Sequence, residues 1–157
     1  MAYSNDPAGA SAASAYPATA TGYATWLQRV GGYLIDALCV APFSILAALL
    51  GQSTDPTTGM PKLNAMYWIF GLLGLVVNAY NRWYQAGKTG QSWGRKALGI
   101  RLVGEQTGQP IGPGMAFVRD LAHIVDSLIC FIGYLFPLWD AKKQTLADKI
   151  VKTLVVH

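Results

Sequence analysis

Asp36 is the one ionisable residue inside an otherwise apolar run, Val30 to Leu50. A carboxylate at the middle of a bilayer helix costs about 2.5–3.5 kcal/mol on insertion scales, so such residues face protein or water and have a partner. Arg29 lies seven residues earlier, on nearly the same helical face and about 10 Å away along the axis. It is placed to reach inward toward Asp36. Asn78 sits in a second apolar run that returns through the same thickness, and it falls near the depth of Asp36. An amide donor beside a buried carboxylate is sound chemistry. Two readings stand: a structural hydrogen bond that joins two helices, and a protonatable or cation-binding carboxylate.

A third segment repeats the arrangement. Arg29 and Asp36 enclose Val-Gly-Gly-Tyr-Leu-Ile, and Arg119 and Asp126 enclose Asp-Leu-Ala-His-Ile-Val. This is either a degenerate parallel repeat, of the kind transporters build around a midplane site, or chance similarity between apolar helices, the more ordinary explanation. His123 falls on the Arg119 and Asp126 side of the helix and reads as an interfacial residue ahead of a proton relay. Near the end, Thr145-Leu-Ala-Asp148 fits a capping box with Thr145 as N-cap. The competing reading pairs Asp148 with an arginine such as Arg29. Arg95, Lys96 and Arg101 cluster beside Trp93, which fits contact with anionic lipid headgroups. No nucleic-acid motif accompanies these charges.

The elements that must position these residues follow from composition. Only 13% of the 157 residues are charged and 52% are hydrophobic, against about 25% charged in ordinary soluble domains. The expected class is an all-α integral membrane protein of one domain. Residues 1–25 are rich in Ala, Ser, Thr, Pro and Gly and read as a disordered tail. They lack the basic start and early apolar run of a signal peptide. Residues 26–157 form the membrane domain. Val30 to Leu50 and Ala65 to Tyr84 each approach the roughly 20 residues needed to span, with Pro42 as a kink in the first. Tyr67, Trp68, Trp83 and Tyr84 bracket the second as aromatic belts. Gly71 and Gly74 offer close approach to a neighbouring helix.

A polar, Gly-rich stretch follows. Ala97 to Val103 reads as a strand, Gly104 to Gly108 as a turn and Gln109 to Ile111 as a returning strand. Leu121 to Leu138 is long enough to span, but it holds His123, Asp126, Gly133 and Pro137. The tail from Thr145 reads as a short helix and then a strand.

Basic residues favour the cytoplasmic side. If only the first two segments cross, every lysine and arginine except Lys62 lies on one side. If the third also crosses, Lys142, Lys143, Lys149 and Lys152 move outside and the bias is lost. The expected topology therefore has both termini cytoplasmic, two transmembrane helices, and a third that is bent and re-entrant rather than spanning, with Gly133 and Pro137 supplying the bends. A full third span is the alternative. The strand pieces Gly99 to Val103 and Thr153 to Val156 then share the cytoplasmic side and can pair as a small β element.

Cys39 and Cys130 lie far apart in apolar runs and read as small core hydrophobes rather than a disulfide framework. No metal site, no cofactor motif and no nucleophile with a base is apparent, so an enzyme is not expected.

In this order and spacing the chain resembles the RDD family, named for one arginine and two aspartates. Arg29, Asp36 and Asp148 match those residues. The stretch Gly90 to Val103 (GQSWGRKALGIRLV) is similar to the family's Gly-Lys-x-Leu-x-Gly-Leu-x-Val, Gly108 fits its turn, and Arg119 its third-segment arginine. Asp148 to Val156 resembles its Asp-x-x-Ala-Gly-Thr-x-Val-Val ending, except that Val151-Lys152 replaces Ala-Gly. The resemblance covers residues 24–156. It implies a small protein of the bacterial cytoplasmic membrane, suspected of transport.

Two functions remain. One is transport of a monovalent cation, a proton or another small ligand through a homo-oligomer, using Asp36 with Arg29 and Asn78. The other is a non-transporting scaffold or lipid- and partner-binding subunit, in which Arg29, Asp36 and Asp148 form a structural network. The expected partners are the bilayer, anionic lipids, and further copies of the chain or other membrane proteins.

Overall fold

The computed structural model describes residues 22–157, so most of the expected tail lies outside the described residues. The tail boundary at residue 25 is corrected. Tyr23 bridges Val156, and the Ala24 amide donates to the Val155 carbonyl at 2.9 Å. An extended segment next to a strand edge satisfies that edge, which places these residues inside the fold.

Helix α1 spans Trp26–Leu50 and begins with a reciprocal capping box between Thr25 and Gln28. It runs unbroken through Pro42 and closes at Gly51. It is long and apolar enough to cross a membrane, and Leu27, Leu34, Leu38, Ile45 and Leu49 along it are exposed. A helix this apolar that the rest of the chain leaves uncovered requires an apolar solvent or partner.

A short hairpin follows, with β1 (Gln52–Thr54) antiparallel to β2 (Pro61–Leu63). Helix α2 (Ala65–Asn78), capped by Asn64, packs back along α1. Gly74 permits their approach, since a methyl there would meet Phe43 and Val40, whereas Gly71 faces open space. The helix passes directly into a π-helical segment, Ala79–Gln85, and then α3, Ala86–Thr89, before Gly90 ends it at φ +77°. Trp83, read as a belt residue, turns inward instead. Its Nε1 donates to Asp120 at 3.0 Å, because the wide π turn rotates it toward the next long helix.

Helix α4 (Trp93–Ala97) is capped by Ser92 and leads through Gly99 into β3 (Arg101–Gly104). No strand returns at residues 109–111. The turn is closed by the Gly104 amide on the Gln109 carbonyl, and β3 pairs with the C-terminal strand instead.

Helix α5 (Pro113–Leu128) is followed by α6 (Ile132–Leu135) and a 3-10 turn (Phe136–Leu138), bent from α5 by 108°. The expected bend is present, but it sits at residues 129–131 and not at Gly133 or Pro137. Cys130 (φ +54°) and Phe131 (φ +62°) take the left-handed conformation there, while Gly133 packs against Asp126. Helix α7 (Leu146–Val151) leads into β4 (Thr153–Val156). β4 pairs antiparallel with β3, Leu102 opposite Val155, as the two strand pieces on one side had suggested. Ile100, Leu102, Val155 and Ala24 form the compact apolar core under this pair.

Among the described residues the fold is mostly helical with two small two-stranded sheets. Among them one helix is long and apolar enough to cross a membrane, and α5 with α6 and the 3-10 turn forms a bent pair that would count as a second.

Candidate functional site

Asp36 is buried, only 4% exposed, and its carboxylate collects three short hydrogen bonds. Asn81 Nδ2 donates to Oδ1 at 2.7 Å, the Gly94 amide to Oδ1 at 2.8 Å, and Ser92 Oγ to Oδ2 at 2.6 Å. Gly94 is the second residue of α4, so the carboxylate caps that helix where its free amides concentrate. The approach depends on Gly94. A methyl at Gly94 would overlap the Gly32 carbonyl of α1.

The expected partner of Asp36 was Asn78, and this is corrected to Asn81. An α-helical register carries Asn78 to the right depth, but the wider π turn brings Asn81 round onto the same face. Asn81 Oδ1 also accepts from the Trp93 amide at 2.8 Å. Asn78 does line the cavities beside Asp36.

Arg29 does not reach inward to Asp36, a second correction. Its Nη1 donates to Asp148 Oδ2 at 2.6 Å, while Arg119 Nε donates to Asp148 Oδ1 at 2.8 Å. The capping box and the arginine pairing, posed as rivals, coexist. Thr145 accepts from the Asp148 amide at 3.1 Å, and Asp148 Oδ2 accepts from the Thr145 amide at 3.2 Å. Thr153 Oγ1 adds a bond at 3.0 Å, and Asp148 is fully buried. Burial works to raise its carboxyl, but the guanidiniums of Arg119 and Arg29 outweigh that and hold it well below the ordinary carboxylate range.

His123, expected at an interface, faces inward. Its Nδ1 lies 2.6 Å from Asp126 Oδ2, and its ring stacks on Tyr134. Asp126 Oδ1 accepts from the Ala147 amide at 3.3 Å. A further pair had gone unread: Arg82 grips Asp120 through Nε (3.0 Å) and Nη2 (2.7 Å), fastening the π segment to α5.

The headgroup assignment is corrected for Arg95 and stands open for Lys96 and Arg101, which are exposed. Arg95 lines the interior, because capping by Ser92 turns the start of α4 toward α1.

These residues enclose a cavity of about 650 Å³ whose walls include Arg29, Arg82, Arg95, Arg119, Asp36 and His123. A second cavity of about 400 Å³ runs on along α1 past Ala37, Ala41 and Ser44, and shares Tyr33, Asp36, Asn78 and Arg82 with the first.

The similarity of the two Arg-to-Asp segments extends to their geometry. Asp36 meets the second amide of α4, and Asp126 meets the second amide of α7. Aligned without a gap, Ser92 matches Thr145 as N-cap, Gly94 matches Ala147, and Gly99 (φ +67°) matches Lys152 (φ +53°). Each short helix then enters one strand of the β3–β4 pair. At the first position after Gly94 and Ala147, Arg95 stands where Asp148 stands.

The family model described as RDD family matches residues 23–152. The chain belongs to the RDD family. Of the residues that carry the resemblance, Arg29 serves Asp148 and not Asp36. Among relatives, the chain is 38% identical to the "Proline-rich antigen homolog" of Mycobacterium tuberculosis (strain CDC 1551 / Oshkosh), covering 85% of this chain and 63% of that protein. It is 38% identical to the "Proline-rich antigen" of Mycobacterium leprae, covering 84% and 60%. It is 36% identical to an uncharacterized protein of Bacillus subtilis, covering 46% of each. The chain therefore spans about three fifths of the length of the mycobacterial relatives it matches. No solved structure matches it. Lys152, at the end of the last helix, takes a left-handed conformation (φ +53°).

Proposed function

We propose that this RDD protein is a multi-pass protein of the bacterial cytoplasmic membrane that binds a small polar solute in its arginine-lined cavity and passes it along α1 within a homo-oligomer. In this reading α1 and the continuous helix from α2 through α3 both span. The bent α5–α6 unit enters from the cytoplasmic side and returns, and both termini are cytoplasmic. The observation that carries the reading is the pair of adjoining cavities sharing Tyr33, Asp36, Asn78 and Arg82. A polar recess that continues along an apolar helix suits a solute pathway. One short helical hairpin and a bent segment do not wall it off, so further copies would close it. Asp36 is the carboxylate common to both cavities, beside Arg82, and would gate the passage.

The scaffold reading is favoured by a different observation: Asp36 and Asp148 are each saturated by hydrogen bonds within the protein. An enzyme suits the site less well. Ser127 Oγ donates to the His123 backbone carbonyl and not to its ring, so the His123–Asp126 pair is not arranged to activate that hydroxyl.

The test is solute flux in proteoliposomes, comparing the wild type with Asp36→Asn. Asparagine keeps the shape and can still accept from Asn81 and Gly94, so the variant should insert and fold. Gradients of Na⁺, K⁺, Li⁺ and a small organic anion are imposed in turn, with pH and solute uptake recorded. A wild-type flux that the variant loses supports transport. Absence of flux from both proteins under every gradient leaves the scaffold.

A further inference from the structure

Four guanidiniums line the larger cavity, and their pairing is uneven. Arg82 is held by Asp120, and Arg119 by Asp148. Arg29 uses Nη1 on Asp148, but its Nη2 is buried with no hydrogen-bond partner among the described residues. Arg95 Nη1 is likewise buried and without a partner among them. Buried guanidinium nitrogens left unmatched are costly, and a protein retains them where something else completes them. Burial, together with the charges of Arg119 and Arg82, pushes the Arg95 guanidinium below its ordinary value. An added negative charge there would relieve both effects.

The acidic residues facing the cavity are otherwise engaged. Asp36 is turned to Asn81, Ser92 and Gly94, and Asp120 to Arg82 and Trp83. Trp26, Tyr33, Phe131 and Tyr134 add aromatic surface to a wall that also holds aliphatic and polar side chains. A volume of about 650 Å³ is within the range of small-molecule sites and far more than a bare inorganic ion fills. The duplicated frame gives the same indication. In the second half Asp148 supplies the carboxylate that neutralises two arginines, and at the matching place in the first half Arg95 supplies another cation.

We propose that this cavity binds a small organic oxyanion, its carboxylate or phosphate held by Arg95 and Arg29 and its apolar body lying against the aromatic side chains. The planar guanidinium fork suits both anions and distinguishes them from chloride. The inference names the solute class of the transport reading above and rests on that reading only for the solute's onward movement. The bearer of the anionic group is either a free metabolite-sized acid or the headgroup of an anionic lipid, and the two are separable.

The experiment uses the full chain in nanodiscs of phosphatidylcholine alone, titrated calorimetrically with phenyl phosphate and with benzoate. Saturable binding that weakens tenfold or more in Arg95→Gln supports the proposal with a free acid as ligand. In parallel, the wild type and Arg95→Gln are extracted from membranes containing phosphatidylglycerol, and tightly retained lipid is measured. Retention by the wild type and not by the variant supports the proposal with a lipid headgroup as ligand. Arg95→Lys, which keeps the charge and loses the fork, serves if the glutamine variant fails to fold, and should also bind at least several-fold more weakly. No saturable binding and no retained lipid in the wild type overturns the proposal, as does binding equal in wild type and variants. Binding that depends on Arg95 without any flux in proteoliposomes removes the transport reading and leaves this one standing.

Discussion

Arg29 and Arg119 hold opposite oxygens of one carboxylate, that of Asp148, at 2.6 and 2.8 Å. One arginine opens the first long helix and the other lies in the third, so a single buried side chain ties the two ends of the membrane domain together. The last helix is only six residues long, too short to persist by itself. It is held because its third residue is the anion between two cations.

Replacing Asp148 by Asn leaves both guanidiniums without a counter-charge in a buried site. Breaking a buried pair by removing one partner costs about 3–5 kcal/mol. The expected outcome is a large drop in melting temperature in detergent, or loss of folded yield. The conservative control, Lys149→Gln, removes only an exposed pair with Asp140 and should shift stability by less than about 1 kcal/mol.

The same residue gives a pH dependence of defined sign. Its carboxyl is depressed in the folded state by Arg119 and Arg29 against the opposing effect of burial. A depressed carboxyl stabilises the fold fully above its unfolded value of about 3.9, and the gain is lost as pH falls toward the native value. The wild type should therefore exceed Asp148→Asn in melting temperature by a constant margin from neutral pH down to roughly pH 5, and the margin should narrow below pH 4. A margin that widens on acidification would contradict the assigned pairing.

Gly94 and Gly71 make a matched pair of tests. A methyl at Gly94 would overlap the Gly32 carbonyl, with backbone on both sides and nothing flexible to yield. Gly94→Ala should separate α4 from α1, weaken the Asp36 contact and cost at least about 1–3 kcal/mol, as overpacking does. Gly71→Ala meets nothing and should be neutral or stabilising by up to about 1 kcal/mol. Thermal unfolding of both variants decides the matter.

Lys152 carries a left-handed backbone (φ +53°) at the C-terminal cap of α7. An L side chain pays about 1–2 kcal/mol for that conformation, and glycine does not. Lys152→Gly should raise stability by up to about 1 kcal/mol after glycine's greater unfolded-state freedom is set against it, readable as a higher melting temperature with the fold unchanged.

Much of this was legible in the sequence because it was local. The Thr145–Asp148 capping box follows from residue spacing, and the bent third segment from polar residues in an apolar run. The pairing of β3 with β4 followed from the side on which the basic residues placed both strands. What escaped was register and direction over long range. The π segment at 79–85 leaves no periodic signature, so Asn78 was chosen where Asn81 serves. Arg82 and Asp120 were both visible, but nothing in sequence says they meet. Arg95 looked like one of three surface cations, and only the docking of α4 under α1 turns it inward. Helical spacing places Arg29 and Asp36 on one face, whereas nothing local marks Asp148, 119 residues away, as the partner of Arg29.

The correspondence of the two capped helix–strand units bears on how the chain is assembled. Each half carries a long helix whose aspartate caps a short helix that leads into a strand; the first half holds α2 and its continuation besides, and the halves join through the loop that follows Gly104. What unites them is the β3–β4 ladder and the shared grip on Asp148, not the peptide link itself. Two separately expressed fragments, divided within that loop, should therefore find each other in the membrane by complementation. At corresponding places in the two capped units Arg95 stands in one and Asp148 in the other, so the two fragments carry unlike charges to their joint.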